Sequence, residues 1–192
     1  MDMKTLVRLS RSYRRFDQDY FISGEVLHAL IQLAQYSPTG NNMQPLKFWL
    51  SNTPEMNQVI FPHLGWAGSL KDWDGPEEGE RPSAYILILG DREIQVSFGV
   101  DHGIAAQSIM LGAAEEGLGG CMIGSARRTA LQKDLEIPDQ YQILLVLALG
   151  KPVEIVVTEP HEPGEDIRYY RDEDGVHHVP KRSLEELILH DV

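Results

Sequence analysis

The chain has 192 residues, 42% apolar and 24% charged, which suits one globular domain that buries roughly 70% of its unfolded surface and excludes a repeat array. Its 17 basic and 29 acidic residues leave a net charge of −12, which argues against nucleic acid or an anionic membrane as the main partner, so an anionic ligand needs a local basic pocket. Cys121 is the only cysteine, excluding an intramolecular disulfide; with no signal-peptide core in Met1 to Ser10 and no apolar run near about 18 residues, a reducing cytosolic setting is expected.

Asp2 to Leu9 predicts a short amphipathic helix, capped by Asp2, with Met3, Leu6 and Val7 on one face. It leads into Ser10-Arg11-Ser12-Tyr13-Arg14-Arg15-Phe16. Glu25 to Tyr36 places Val26, Leu27, Ala29, Leu30, Leu33 and Ala34 at helical spacing. Ser37 to Pro45 is loop chemistry, and Leu46 to Ser51 reads as a strand. Thr53-Pro54-Glu55 supplies a cap, a first-turn proline and a first-turn acid for a further helix. Residues 62–83 are irregular, glycine-rich and carry Trp66 and Trp73, which makes them a candidate substrate lid. The acidic stretches Asp72 to Glu80 and Glu159 to Asp174 read as solvated loops without chemistry.

Ala84 to Leu89 is an unbroken apolar run suited to a buried strand, and Asp101 to Glu116 is a helix of small residues ended by Gly117-Leu118-Gly119-Gly120. Cys121 to Ile123 predicts a short strand, Thr129 to Leu135 a short helix, and Ile143 to Leu149 a second apolar strand closed by Gly150 and Pro152. Ile167 to Tyr170 and Val176 to Val179 flank Asp174-Gly175 and predict a hairpin, after which Ser183 to Glu186 is a capping box for a terminal helix. The alternation predicts a central sheet covered by helices. Neither G-x-G-x-x-G nor G-x-x-x-x-G-K-[ST] occurs, so a Rossmann or phosphate-loop site is excluded.

Two clusters carry candidate chemistry. Arg11, Ser12 and Arg14 form R-S-x-R, two guanidinium forks and a hydroxyl suited to a phosphate, although a surface charge cluster is the competing account. Pro38-Thr39-Gly40-Asn41-Asn42-Met43-Gln44-Pro45 offers carboxamides that both donate and accept, as a flavin ring edge requires; a plain turn is the alternative. His177 and His178 would face opposite sides of a strand and no other histidines have ligand spacing, so no catalytic metal is expected. Cys121, among apolar neighbours, reads as a structural thiol.

R-S-x-R followed about two dozen residues later by P-[ST]-G-x-N-x-Q-P resembles the FMN-dependent nitroreductase family. The resemblance continues through Asp101, Gln107 and Leu111, the turn and strand from Gly117 to Gly124, Leu147 to Pro152, and Lys181 to Glu186. It departs at Leu46, where the family commonly has tryptophan. The resemblance implies an α+β three-layer fold over residues 1–192, with a mainly antiparallel sheet flanked by helices. It also implies a homodimer with FMN at the interface, so that one site draws on both chains, and a tail, 153–192, that packs on the partner. Arg11, Ser12 and Arg14 would bind the FMN phosphate and nearby oxygens, completed by Arg182 with Lys181. Pro38, Thr39, Asn42 and Gln44 would line the isoalloxazine, with Ile123 and the backbone amide near Gly124 at N5. No protein residue would be catalytic beyond the flavin, Arg14 being the first candidate to tune N1 and O2 and Lys47 the second. The implied activity is reduction of nitroaromatic, quinone or related acceptors by NADH or NADPH. A flavin store or sensor without turnover, and a specialised dehalogenase, flavin-destroying or dehydrogenase relative, are the alternatives.

Overall fold

The computed structural model describes residues 1–191. Helix starts follow local chemistry. Asp2, Ser23 and Thr53 accept backbone N–H groups at the heads of α1 (Met3–Leu9), α2 (Gly24–Gln35) and α3 (Pro54–Ile60). The end of α4 (Asp101–Glu115) is a Schellman turn: Gly117 takes a φ of 69°, Leu118 N–H donates to Ala113 and Gly117 N–H to Ala114. The remaining helices are α5 (Arg128–Asp134) and α6 (Leu184–Leu187), the latter with the expected Ser183–Glu186 capping box.

The main sheet is antiparallel at every pairing. β3 (Ala84–Asp91) lies between β2 (Leu46–Ser51) and β5 (Tyr141–Pro152), while β5 also pairs with β4 (Gly119–Ile123) and, through its last two residues, with β1 (Phe16–Asp17). Every residue of β3 is buried because both faces of the sheet are covered. Ile86 and Ile88 face a core with α2 and α4, and Tyr85, Leu87 and Leu89 face a second core with Ile60 of α3 and Leu131 of α5. These are the three layers the resemblance implied. α2 and α4 approach so closely that a Cβ on Gly112 would stand 2.3 Å from the Leu33 side chain.

Long-range pairing changes the expected boundaries. β5 continues through Pro152 because Phe16 pairs there, at a strand end where proline's missing N–H is tolerated. A second sheet, β6 (Val156–Pro160), β8 (His177–Lys181) and β7 (Tyr170–Arg171), gathers the tail. β6 was not expected: it pairs in parallel with β8, from Val156 opposite His177, a partnership across a long connection that no local pattern announces. The predicted hairpin forms around Gly175, but its first strand is only Tyr170–Arg171 rather than Ile167 to Tyr170. On α1 only Leu6 is buried, Met3 and Val7 being exposed, and Leu33 of α2 is also exposed.

Candidate active site

The R-S-x-R segment is held against the edge of β4. Ser12 bridges to Gly120, and Tyr13 N–H donates to the Gly120 carbonyl at 2.9 Å. Glycine is required there, because a Cβ on Gly120 would lie 2.5 Å from the Ala148 carbonyl oxygen. Since the Gly120 carbonyl faces outward, period-two alternation puts the backbone polar groups of Met122 on the same outer edge, while at Gly124, just past the strand, the carbonyl accepts from Ala126 N–H at 3.2 Å and from Arg128 Nη2 at 2.9 Å. Gly124 is exposed, with nothing within 4 Å of the position a Cβ would take. Ile123 is buried and faces the second core.

Arg11 and Arg14 have different surroundings. Arg11 donates from Nη2 to the Val7 carbonyl at 2.7 Å, closing the last turn of α1, and its Nε is buried with no hydrogen-bond partner. Arg14 is 8% exposed and turns towards the tail. Its guanidinium lies 4.7 Å from the Tyr169 ring centroid, with Nη1 3.2 Å from His177 Nε2 and donating at 3.3 Å to the Ser12 carbonyl. Burial, followed by the charges of Arg14 and Arg171, pushes His177 down to about 4. The ring is therefore neutral at pH 7 and Nε2 accepts from Arg14. Beside it, buried Glu154 accepts from the backbone N–H groups of Arg14 and Arg15 and from Arg171 Nη2 at 3.0 Å. Burial pushes the adjacent Cys121 thiol up, which suits a structural role.

The segment Pro38 to Pro45 is strained. Asn41, Asn42 and Gln44 all have positive φ, of 50°, 55° and 50°. Gly40 N–H donates to Asp101 Oδ1 at 3.0 Å at the head of α4, and Thr39 Oγ1 accepts from Gln44 N–H at 3.2 Å. Asn42, Gln44 and Pro38 are exposed, as is Lys47 at the start of β2. Within one chain this loop does not meet the R-S-x-R segment. Ser12 stands at the Leu149 level of β5 on the β4 side, whereas Leu46 stands at the Gln142 level on the β2 side. Seven residues of strand and four strand spacings separate them, more than about 20 Å. Lys181 and Arg182 also lie apart, at the far end of β8 from His177, and Arg182 sits 3.7 Å from Glu186.

Residues 63–65, the start of the candidate lid, are sewn beside Gly124: Gly65 N–H donates to the Ser125 carbonyl at 2.6 Å and Arg127 N–H to the His63 carbonyl at 2.9 Å. Further along, Ser69 N–H donates to Tyr169 Oη at 3.2 Å and Trp73 lies 4.8 Å from the Arg171 guanidinium. Arg127 and Arg128, unremarked in the sequence, line the hollow next to Gly124; adjacent arginines directly after a glycine-ended strand were the available signal. The Glu154–His177–Arg171 group left no such signal, since its members are 140 residues or more from Arg14 in sequence and meet it only in the fold. The chemistry fits a phosphate-bearing flavin: a guanidinium N–H at Arg11 without a hydrogen-bond partner among the described residues, the exposed Ser12 and the outer edge of β4 at Met122.

A family model described as "Nitroreductase: Nitroreductase family" matches residues 8–151. The Bacillus subtilis protein YodC, whose name places it with the NAD(P)H nitroreductases, is 23% identical over 178 residues, covering 77% of this chain and 88% of that one. The NADPH-flavin oxidoreductase of Vibrio harveyi is 37% identical over 73 residues, 37% of this chain and 30% of that protein. A solved structure from Desulfovibrio desulfuricans, in complex with FMN, superposes with a TM-score of 0.69 at 22% identity and covers 98% of this chain and 96% of that one. That last likeness establishes the fold.

Proposed function

The chain belongs to the Nitroreductase family, and from that premise we propose that it is an FMN-dependent oxidoreductase using NADH or NADPH to reduce small organic acceptors such as nitroaromatics or quinones. The observation that carries the reading is the open outer edge of β4, with Ser12 at one end, exposed Gly124 at the other and the unpartnered Arg11 Nε beside it. The names of the Bacillus and Vibrio relatives and the FMN held by the Desulfovibrio structure support it.

Bound FMN would supply the redox chemistry, taking hydride from the nicotinamide and passing electrons to the acceptor. The chain's residues bind and orient. Arg11 and Ser12 hold the phosphate, and outward backbone N–H groups at the end of β4 present a fixed dipole to the ring edge. Arg14, engaged with His177 and Tyr169, holds the R-S-x-R segment against the tail. The carboxamides of Asn42 and Gln44 line the ring from a second copy of the chain, because the two clusters stand too far apart within one copy to share a mononucleotide. Of the candidate lid 62–83, residues 66–78 would cover the acceptor, since residues 63–65 are anchored by Ser125 and Arg127 and residues 79–83 by Gln18, Phe16 and Leu149.

Purified protein is expected to be yellow and to release FMN rather than FAD on denaturation. NADH or NADPH should bleach it, and an added quinone should restore the colour. Colourless protein that cannot be reconstituted with FMN would overturn the proposal, and bleaching without recovery for any acceptor would favour a flavin store.

A further inference from the structure

Between α3 and the entrance to β3 lies a cavity of about 300 Å³, at the β2 side of the sheet and away from the β4 edge. Arg81, Ser83 and Tyr85 all line it, the first two from bends that lead into β3 and Tyr85 from the second residue of that strand. The register is held: Ser83 N–H donates to the Leu149 carbonyl at 3.0 Å, and Tyr85 pairs with Ala148 on one side and Ser51 on the other.

Each of the three carries a buried polar atom with no hydrogen-bond partner, namely Arg81 Nε, Ser83 Oγ and Tyr85 Oη. Tyr85 is 0% exposed and Ser83 8%. Asn57, the nearest candidate partner, is committed elsewhere: its Nδ2 donates to the Ser83 carbonyl at 2.8 Å and its Oδ1 accepts from Ser51 Oγ at 2.7 Å. Buried polar atoms are almost always paired, so three orphans on one cavity wall point to a missing partner rather than to packing. Burial pushes the Tyr85 phenol far above its ordinary range, which keeps it a donor at any working pH.

The donor set defines the ligand. A guanidinium and two hydroxyls on one face call for an oxyanion, and a planar carboxylate suits the guanidinium fork. The opposite demand comes from Phe61, whose ring centroid is 4.4 Å from the Arg81 guanidinium, and from Phe21, Pro54 and Pro82, which offer flat apolar surface. Asp19 and Glu78 stand exposed at the rim and disfavour a polyanion such as a nucleotide. A volume at the lower end of ligand pockets suits a single ring. We propose that this cavity binds a small aromatic monocarboxylate, held by Arg81, Ser83 and Tyr85 and flanked by Phe61.

The test is calorimetric titration of the protein as purified with benzoate and with its neutral isostere benzamide. Benzoate should bind saturably and at least about tenfold more tightly than benzamide. Tyr85→Phe should weaken benzoate about tenfold or more, and Arg81→Met should weaken it further. Tyr85→Phe removes an unpaired hydroxyl without changing the ring, so its thermal midpoint should equal or exceed that of the parent. Equal binding of the two ligands, undiminished affinity in Tyr85→Phe, or no saturable binding with water alone filling the cavity in a crystal would each overturn the proposal. Flavin plays no part in this titration, so its outcome is separate from that of the FMN reconstitution.

Discussion

At the scale of single residues, two arginines three positions apart do different work. Arg11 keeps a buried Nε without a partner, whereas Arg14 is spent on Tyr169, His177 and the Ser12 carbonyl. Losing one charge-assisted hydrogen bond costs about 1.5–3 kcal/mol, so Arg11→Ala should weaken FMN binding about 10-fold to 150-fold, with turnover largely recovered at saturating FMN. Arg14→Ala should instead lower folding stability by about 1–3 kcal/mol, because it strips from buried His177 Nε2 its hydrogen-bonded neighbour among the described residues. FMN titration and urea unfolding of both variants check this pair. Wild-type FMN affinity in Arg11→Ala would reduce the cluster to surface charge. A shifted flavin potential in Arg14→Ala at full occupancy would show instead that Arg14 reaches the ring.

At the scale of elements, β8 presents adjacent histidines to opposite faces, and their pKa values move in opposite directions. His178 is raised by hydrogen bonds to Asp172 and Glu159, and stacks on Tyr170 at 4.7 Å. Its folded-state value exceeds its unfolded one, so its stabilisation is fully present below about pH 6.5 and is lost as pH rises through the raised value. His177 is the reverse case. Pushed down to about 4, it stays neutral when folded while the unfolded chain takes up protons, so stability is lost as pH falls from the ordinary histidine value of about 6.5 towards about 4. Urea midpoints at pH 5 to pH 8, followed by Trp73 fluorescence because Trp73 lies under Arg171, read both effects. His178→Gln should cost more at pH 5 than at pH 8, and His177→Gln should flatten the acid-side loss. A cost of His178→Gln that does not change with pH would contradict the assignment.

At the scale of the whole molecule, the proposed composite site calls for a second copy of the chain, and one copy leaves apolar surface exposed. Met3, Val7 and Leu9 of α1, Leu33 of α2 and Tyr36 at its end are all exposed, and so are Leu184, Leu187, Ile188 and Leu189 at the tail. Sedimentation should give about twice the 21.6 kDa chain mass, with FMN strengthening the dimer. Coexpressing Arg11→Ala and Asn42→Ala chains should restore a class of flavin sites with parental affinity that neither variant has alone, because the mixed dimer holds one composite site with both halves intact. A monomer mass with FMN bound would contradict the composite site.

The sequence by itself determined the parts whose causes are local. Caps at Asp2, Thr53 and Ser183 lie within three residues of the N–H groups they receive, and the unbroken apolar run from Ala84 to Leu89 set both faces of β3, so these were legible without the fold; the Ser23 cap on α2 was not read. The R-S-x-R cluster and the Pro38 to Pro45 loop were legible as residue types suited to phosphate and ring. Their mutual placement was not. Only the antiparallel registers of β2, β3, β5 and β4 put them at opposite ends of the sheet, and only the parallel pairing of β6 with β8 brought Glu154 and His177 to Arg14. Such contacts join residues distant along the chain, and their energy comes from burial and pairing that no short window of sequence contains; tertiary structure alone decided that Arg14 rather than Arg11 is enclosed by the tail.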